Sequence, residues 1–327
     1  MAALQYVGSK FTLAPSIRPL LEAKWSDLKE WTLVDAFFGA GGFTLVCGSL
    51  FKDAVLNDLE LYAVQLAHAL FVEPIQLPER LEPVSGYITQ SYSSAGPARR
   101  LFFTPQNARY IDAYREWLRC QPDTPARTSA IGQLLSSLDR RANHASTYQA
   151  FLKAEKPTSR VPVVIRPLFR GTDDPLVGKV TITQGCALDA AADAPEQSVL
   201  YLDPPYTSLP YSRMYFVLNV IGELNDDPVL KGVTGRPPLM NRSAWNSKHG
   251  ALDELKQLLA GTRARRVVMS YSTDGIMPEA DITAALTGAG FGVEVHRLPK
   301  TRYRTIRPDA VNINTTVLEE LVFMAER

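Results

Sequence analysis

Cysteine is scarce in this chain: Cys47, Cys120 and Cys186 are the three among 327 residues. They show neither the C-x-x-C spacing of a zinc or redox site nor the density of a disulfide-framed secreted fold, so a reduced, cytoplasmic compartment is expected. Histidine is nearly as rare. His68, His144, His249 and His296 form no H-x-x-x-H pair, and no metal site is expected. No run of about 18 apolar residues occurs, so no membrane span is expected. Met1-Ala2-Ala3-Leu4-Gln5 carries no basic region ahead of an apolar stretch, and no signal peptide is expected. Internal repeats and low-complexity tracts are also missing.

What is present is a chain 46% hydrophobic and 21% charged. That is enough to bury a large core in one domain, or in one plus a smaller one. The net charge of +1 hides an asymmetry. Residues 96–170 hold thirteen Lys and Arg against five Asp and Glu, a local +8 that leaves −7 for the remainder. A basic segment inside an otherwise acidic protein points to a polyanionic partner. The plain alternative is a helical segment with solvated arginines.

Apolar runs alternate with helical periodicity at both ends of the chain. Strands are expected at Leu33–Asp35, Ala54–Asn57, Val177–Thr183, Ser198–Leu202, Val267–Tyr271, Val293–Leu298 and Val317–Met324. Helices are expected from the glycine turn to about Phe51 and over Leu59–Phe71, Ser247–Leu259 and Pro278–Ala289. Strands separated by helices argue for an α/β fold, doubly wound, with a mostly parallel sheet covered on both faces. Residues 74–175 break the rhythm. Thr104-Pro105 reads as N-cap and first turn of a helix carrying Ala108, Ile111, Tyr114 and Leu118 on one face. Ile131, Leu134, Leu135 and Leu138 suggest a second helix, and Tyr148, Phe151 and Leu152 a third. This block carries the basic excess, and a small helical subdomain is the simplest account of it.

"LVDAFFGAGGF" at residues 33–43 reads as strand, glycine turn and helix start. Gly39, Gly41 and Gly42 let the backbone pass close to a ligand at the carboxyl edge of the sheet. Asp58 closes the next strand, where a doubly wound fold holds ribose hydroxyls. The G-x-G-G pattern lacks pyrophosphate spacing and suits an adenosine without phosphates, although a tight βα turn is the bland alternative. Further on, "DPPY" at residues 203–206 follows a buried strand. Two prolines fix φ and remove two donors, so Asp203 and Tyr206 are presented stiffly. Asp203 could also be a helix N-cap.

Taken in order, "YVGSK", "DAFFGAGG", "NDLE" and "DPPY" resemble the Dam-type, alpha-group DNA adenine-N6 methyltransferases. The resemblance continues through "FFTPQNARYIDAYR", "LLSSLDRRANHASTYQAFLK", "VVMSYSTDGIM" and "RYRT". It implies a Rossmann-like sheet of seven strands with the last antiparallel, a site-specific transferase and S-adenosylmethionine as cofactor. It also implies double-stranded DNA as partner, residues 1–73 and 176–327 as catalytic domain, and 74–175 as helical target-recognition insertion. A monomer is expected. By position, Tyr6, Gly8 and Lys10 would close over the methionine half of the cofactor, Lys10 through its carboxylate. Asp35, Phe37, Gly39 and Gly41 would line the floor and Asp58 would hold the ribose. The sequence departs from the pattern in two places. Cys186 in "QGCAL" stands where the family places an acid against the cofactor adenine, with Asp189 nearby. Tyr215-Phe216-Val217-Leu218 stands where Tyr-His-Leu-Leu is usual.

The exocyclic amine of adenine is a poor nucleophile because its lone pair is delocalised into the ring. A carboxylate from Asp203 accepting one N–H, and the Pro204 carbonyl accepting the other, would favour its pyramidalisation. Pro205 would hold both acceptors preorganised. The base must leave the duplex first, and Tyr206 offers a stacking face. None of the three cysteines follows proline, against a carbon-methylating cytosine enzyme. A cytosine amino methyltransferase, in which Ser more often replaces Asp203, and an inactive DNA-binding relative both stay open. DNA contacts are expected from Arg140, Arg141 and Asn143, and from Lys300, Arg302 and Arg304 at a hairpin tip between the last two strands.

Overall fold

Among the residues that the computed structural model describes (4, 10–168, 178–226, 228–238, 241, 243–299 and 319–327), seven strands form one sheet. They are β1 (Thr32–Asp35), β2 (Asp53–Asp58), β3 (Val180–Gln184), β4 (Ser198–Leu202), β5 (Arg266–Ser272), β6 (Gly292–Pro299) and β7 (Glu319–Glu326). Their order is β3-β2-β1-β4-β5-β7-β6. β1 to β5 run parallel, and β7 lies antiparallel between β5 and β6. This is the seven-stranded, mostly parallel sheet expected from the sequence. The chain winds outward from β1 through β2 to β3, then restarts at β4 beside β1. Strand order therefore reverses at the β1/β4 pair, and a crevice opens at their carboxyl ends, the usual ligand position in such sheets.

Helices flank the sheet in chain order: α1 (Ala14–Lys24), α2 (Thr44–Cys47), α3 (Leu61–Phe71), α4 (Tyr87–Tyr92), α5 (Pro105–Arg119), α6 (Pro125–Asp139), α7 (Ala187–Ala192), α8 (Tyr211–Met214), α9 (Phe216–Gly222), α10 (Gly250–Gly261) and α11 (Glu279–Gly288). Successive strand residues face opposite sides. Leu33, Leu56, Val199 and Tyr201 point into one apolar cluster with α1, α3, α5, α6 and α9. Val34, Leu200, Leu202 and Val267 point into the other, with α7, α10 and α11. β4 and β5 are buried along their whole length, which is why they read as continuous apolar runs. No helix among the described residues is long and apolar enough to cross a membrane.

Thr104 caps α5 as expected, accepting a hydrogen bond from the Asn107 N–H at 3.2 Å with Pro105 in the first turn. The helix expected over Tyr148–Leu152 does not form. Phe151 bridges to His144 instead, because Asn143 holds the segment after α6 as a loop through the Leu152 carbonyl and the Lys156 N–H. The helix after the glycine turn is also short, α2 giving way to a 3-10 turn at Gly48–Leu50. α6 lies directly on α3: a Cβ on Gly132 would stand 1.9 Å from the Gln65 carbonyl oxygen. Ile111, Leu134, Leu135 and Tyr148 share one apolar cluster with Leu66, Val199 and Phe216. The inserted block thus shares a core with the sheet.

Candidate active site

The glycine turn after β1 places Gly39 at φ +56° and Gly41 at φ +75°, a region that side-chain-bearing residues rarely enter. Gly42 serves a different purpose. A Cβ there would lie 2.6 Å from the Phe11 nitrogen, so glycine lets the Lys10–Phe11 segment cross the turn. Asp58, at the end of β2, accepts from the Gly39 N–H at 2.7 Å and the Glu60 N–H at 2.9 Å. Burial pushes its carboxyl up to about 6, against those backbone bonds. Asp35 is 1% exposed. Its Oδ2 accepts from the Thr44 hydroxyl at 2.7 Å, while Oδ1 has no partner. Burial drives that carboxyl up to about 7, with Asp203 and Asp58 adding to the shift.

"DPPY" lies at the carboxyl end of β4, across the switch point from the glycine turn. No helix begins after Asp203 until α8, whose N-terminal neighbour is Pro210; Asp203 therefore caps nothing. Its Oδ1 accepts from the Lys10 ammonium at 2.8 Å and from the Tyr206 hydroxyl at 2.8 Å. Lys10 also donates to the Tyr206 hydroxyl. Burial pulls the Lys10 ammonium down, but Asp203 and Glu320 outweigh it and leave its pKa raised. The Tyr206 ring meets Tyr271 edge-on, with centroids 5.2 Å apart.

A cavity of about 230 Å³ joins these pieces. Lys10, Asp35, Phe37, Gly39, Asp58, Glu60, Cys186, Asp203, Pro205, Tyr211 and Trp245 are among the residues lining it. Pro204 is buried beneath. Phe37 packs edge-on against Trp245 at 5.3 Å and 87°. The cavity thus couples aromatic walls to five carboxylates, Glu254 being the fifth, and one ammonium, an environment for a cationic ligand with a flat apolar part. Among the described residues, no group of three or more His, Cys, Asp or Glu could hold a metal ion.

Residues 6–267 match the model of the D12 class N6 adenine-specific DNA methyltransferases. The chain belongs to this family. The match spans most of the chain and fits the sheet order and the placement of "DPPY". Two type II methyltransferases are similar over nearly their whole length. M.CviAII of Paramecium bursaria Chlorella virus 1 is 29% identical over 304 residues, 89% of this chain and 90% of the viral protein. M.NlaIII of Neisseria lactamica is 28% identical over 323 residues, 94% of this chain and 93% of the relative. M.FokI of Planomicrobium okeanokoites is 25% identical over 92% of this chain, which covers 49% of that protein. Membership makes this an enzyme of DNA adenine methylation. The family's reaction implies S-adenosylmethionine as methyl donor.

Within this methyltransferase, Cys186 lines the cavity and caps α7, its Sγ accepting from the Leu188 N–H at 3.4 Å. Asp189 is exposed in the first turn of α7 and is not among the lining residues. A half-buried acid outside these motifs, Glu254 of α10, also lines the cavity, its carboxyl raised by burial. Glu254 and Trp245 carried no signal in the sequence, since each is a single residue far from any motif. Glu60 had one, as the last residue of "NDLE". It is 5% exposed, accepts from Asn219 at 2.7 Å, and is pushed up to about 7 by burial.

The expected DNA contacts fare unevenly. Asn143 is turned inward: it is 1% exposed, its amide donates to the Leu101 and Leu152 carbonyls at 3.0 and 3.1 Å, and its oxygen accepts from the Lys156 N–H. It shapes the loop, both amide donors being spent on the protein's own carbonyls. Arg140 and Arg141 are half-buried at the carboxyl end of α6. Part of the basic excess is structural. Arg115 is buried against Asp226 at 2.8 Å and the carbonyls of Ile221 and Asn225. Arg119 reaches the same Asp226 at 2.6 Å, and Arg100 holds the Gly232 and Val233 carbonyls. Tyr6, Gly8, Lys300, Arg302 and Arg304 lie outside the described residues.

Proposed function

We propose that the cavity between the glycine turn and "DPPY" binds S-adenosylmethionine, and that Asp203 and Pro204 activate the exocyclic amine of an adenine flipped out of double-stranded DNA. One observation carries the reading. At the switch point of the sheet, the orphaned buried Oδ1 of Asp35 shares an acid-rich, aromatic-walled cavity with Asp203. The cofactor fits these residues, because it joins a cationic methionine sulfonium to an adenosine. Asp35 would take its ammonium and Asp58 its ribose hydroxyls, with Gly39 and Gly41 keeping the floor low and Phe37, Cys186 and Trp245 flanking its adenine. When bound, the cofactor supplies a methyl group on a sulfonium.

The chain's own residues then arrange the nucleophile. The Lys10 ammonium beside Asp203 favours the ionised carboxylate, which accepts one amine N–H. The Pro204 carbonyl accepts the second, held by two fixed φ angles. Both acceptors are in place before the base arrives, so their reorganisation adds nothing to the barrier. Tyr206 gives the base a stacking face. Residues 74–175 supply the target-recognition block, with Arg140 and Arg141 on the phosphates and the 299–308 segment as a second contact. The type II names of the relatives suggest a restriction–modification setting, and the enzyme is read as a cytoplasmic monomer.

Single-turnover transfer from labelled cofactor to unmethylated duplex DNA tests this, with modified-base sequencing to place the methyl group. Asp203→Ala is expected to fold, bind cofactor and DNA, and lose several orders of magnitude in transfer rate. That is the pattern for an interaction made chiefly in the transition state. Near-wild-type turnover in Asp203→Ala would remove the proposal.

A further inference from the structure

Glu320 has no part in the reading above, yet it touches two groups that also reach Asp203. It lies in β7, opposite Ser272 of β5 and Leu298 of β6, and is 1% exposed. Its Oε1 accepts from the Lys10 ammonium at 2.9 Å and from the Tyr206 hydroxyl at 2.6 Å. Those are the two groups that also reach Asp203 Oδ1. Two carboxylates therefore share one ammonium and one phenol. Topology explains the meeting. β7 is antiparallel, so it begins at the edge of the sheet where its parallel neighbours end, and Glu320 enters beside the "DPPY" turn.

An ammonium carries three protons and can serve both acids; a phenol carries one and can serve only one at a time. Glu320 therefore draws both groups toward β7 as well as toward Asp203. We propose that Glu320 is a positioning residue for methyl transfer, holding Lys10 and Tyr206 from behind and so fixing where both stand beside Asp203. The proposal rests on the reading of Asp203 given above. A buried carboxylate at the start of an apolar strand is costly unless it is paired, and here its partners belong to the reacting centre.

Among the described residues, the titratable groups reaching Glu320 are Lys10 from the N-terminal 3-10 turn and Tyr206 after β4, with Asp203 sharing both. Tyr201 of β4 and Tyr211 of α8 feel both Glu320 and Asp203, and Asp35 of β1 feels Asp203. β5 and β6 set uncharged Ser272 and Leu298 opposite it. Neutralising Glu320 weakens its hold on the Lys10 ammonium and the Tyr206 hydroxyl, and both shift toward Asp203. It also removes a negative charge beside Lys10, whose ammonium then loses its proton at lower pH.

The full-length enzyme with Glu320→Gln is compared with wild type in single-turnover transfer to unmethylated duplex DNA at saturating S-adenosylmethionine, across pH. Transfer is expected to be about ten- to a hundredfold slower, the scale on which a misplaced group slows a reaction. Cofactor and DNA affinities stay unchanged, and the alkaline limb of the pH profile moves toward acid. Wild-type rate and limbs in a folded Glu320→Gln overturn the proposal. Should that variant not fold, Glu320→Asp decides. Slowed transfer with the wild-type pH limbs, because the charge is kept, supports the assignment; an unchanged rate overturns it. Asp203→Ala, run beside them, separates the two readings. An active Asp203→Ala defeats the reading of the site, whereas an inert one alongside a wild-type-like Glu320→Gln defeats only the role of Glu320.

Discussion

Asp58 holds the Gly39 turn with one oxygen and the start of α3 with the other, and each oxygen keeps a further lone pair. A ribose hydroxyl can therefore be accepted without breaking either bond. Removing a hydrogen bond to a charged group costs roughly 1.5–3 kcal/mol. Asp58→Ala is accordingly expected to weaken S-adenosylmethionine binding about ten- to a hundredfold by calorimetry, and Asp58→Asn, which keeps one oxygen, to weaken it less. Wild-type affinity in Asp58→Ala would place the ribose elsewhere. Asp58, Asp35 and Asp203 were legible in the sequence because each closes a strand whose apolar run can be read locally. Glu60 was legible only as part of "NDLE", and its bond to Asn219 depends on α9 packing beside α3.

At the scale of elements, α3 and α6 decide how the inserted block sits on the sheet. Their backbones touch at Gly132 and Gln65, where a Cβ would stand 1.9 Å from a carbonyl oxygen. Alanine is favoured over glycine in a helix by about 1 kcal/mol, but forcing a methyl into a closed contact costs typically 1–3 kcal/mol. A rigid backbone oxygen puts this site at the upper end. Gly132→Ala should therefore lower the urea midpoint despite its better helix propensity. A midpoint at or above wild type would mean the helices can separate there without loss. The periodicity of Ile131, Leu134, Leu135 and Leu138 showed a helix, but not what it would lie against. The same spacing misled at Tyr148, Phe151 and Leu152, where side-chain bonds from Asn143 satisfy the backbone as a loop.

For the whole molecule, charge sets two expectations. The carboxyls of Asp35 and Glu60 sit at about 7 and that of Asp58 at about 6, above the ordinary carboxylate value of about 4. Between about pH 4 and 7 the folded protein binds more protons than the unfolded chain, so stability present at low pH is lost as pH rises through these values. Asp27, held down by its bond to Arg266, acts in the opposite sense below that window. Without cofactor, Tm is expected to fall from about pH 5 to 8. A cationic ligand favours the ionised acids, so S-adenosylmethionine should bind more tightly over the same interval and release protons, which calorimetry in two buffers of different ionisation heat measures. Affinity that is flat with pH would mean the acids do not face the ligand. The second expectation concerns DNA. Arg140→Ala with Arg141→Ala should weaken duplex binding and flatten its salt dependence by about 0.9 per lost phosphate contact, leaving cofactor affinity alone. Unaltered DNA affinity would remove both residues from the interface.

The sequence alone determined the strand–helix alternation, the glycine turn, the acid closing β2 and the stiff "DPPY" exit from β4. Each is local, resting on the side-chain period of a strand, on which residues tolerate φ > 0, and on prolines that lock the backbone. Only the tertiary structure decided which side chains face one another. Sheet order brings Asp35 and Asp203 to one crevice, and the antiparallel β7 delivers Glu320 to Lys10 from far along the chain. The crossing of α3 and α6 joins the inserted block to the main core. Burial withdrew Asn143 and Arg115 from the surface that their composition suggested, because a polar residue's role depends on whether its partners are solvent, DNA or the protein's own carbonyls.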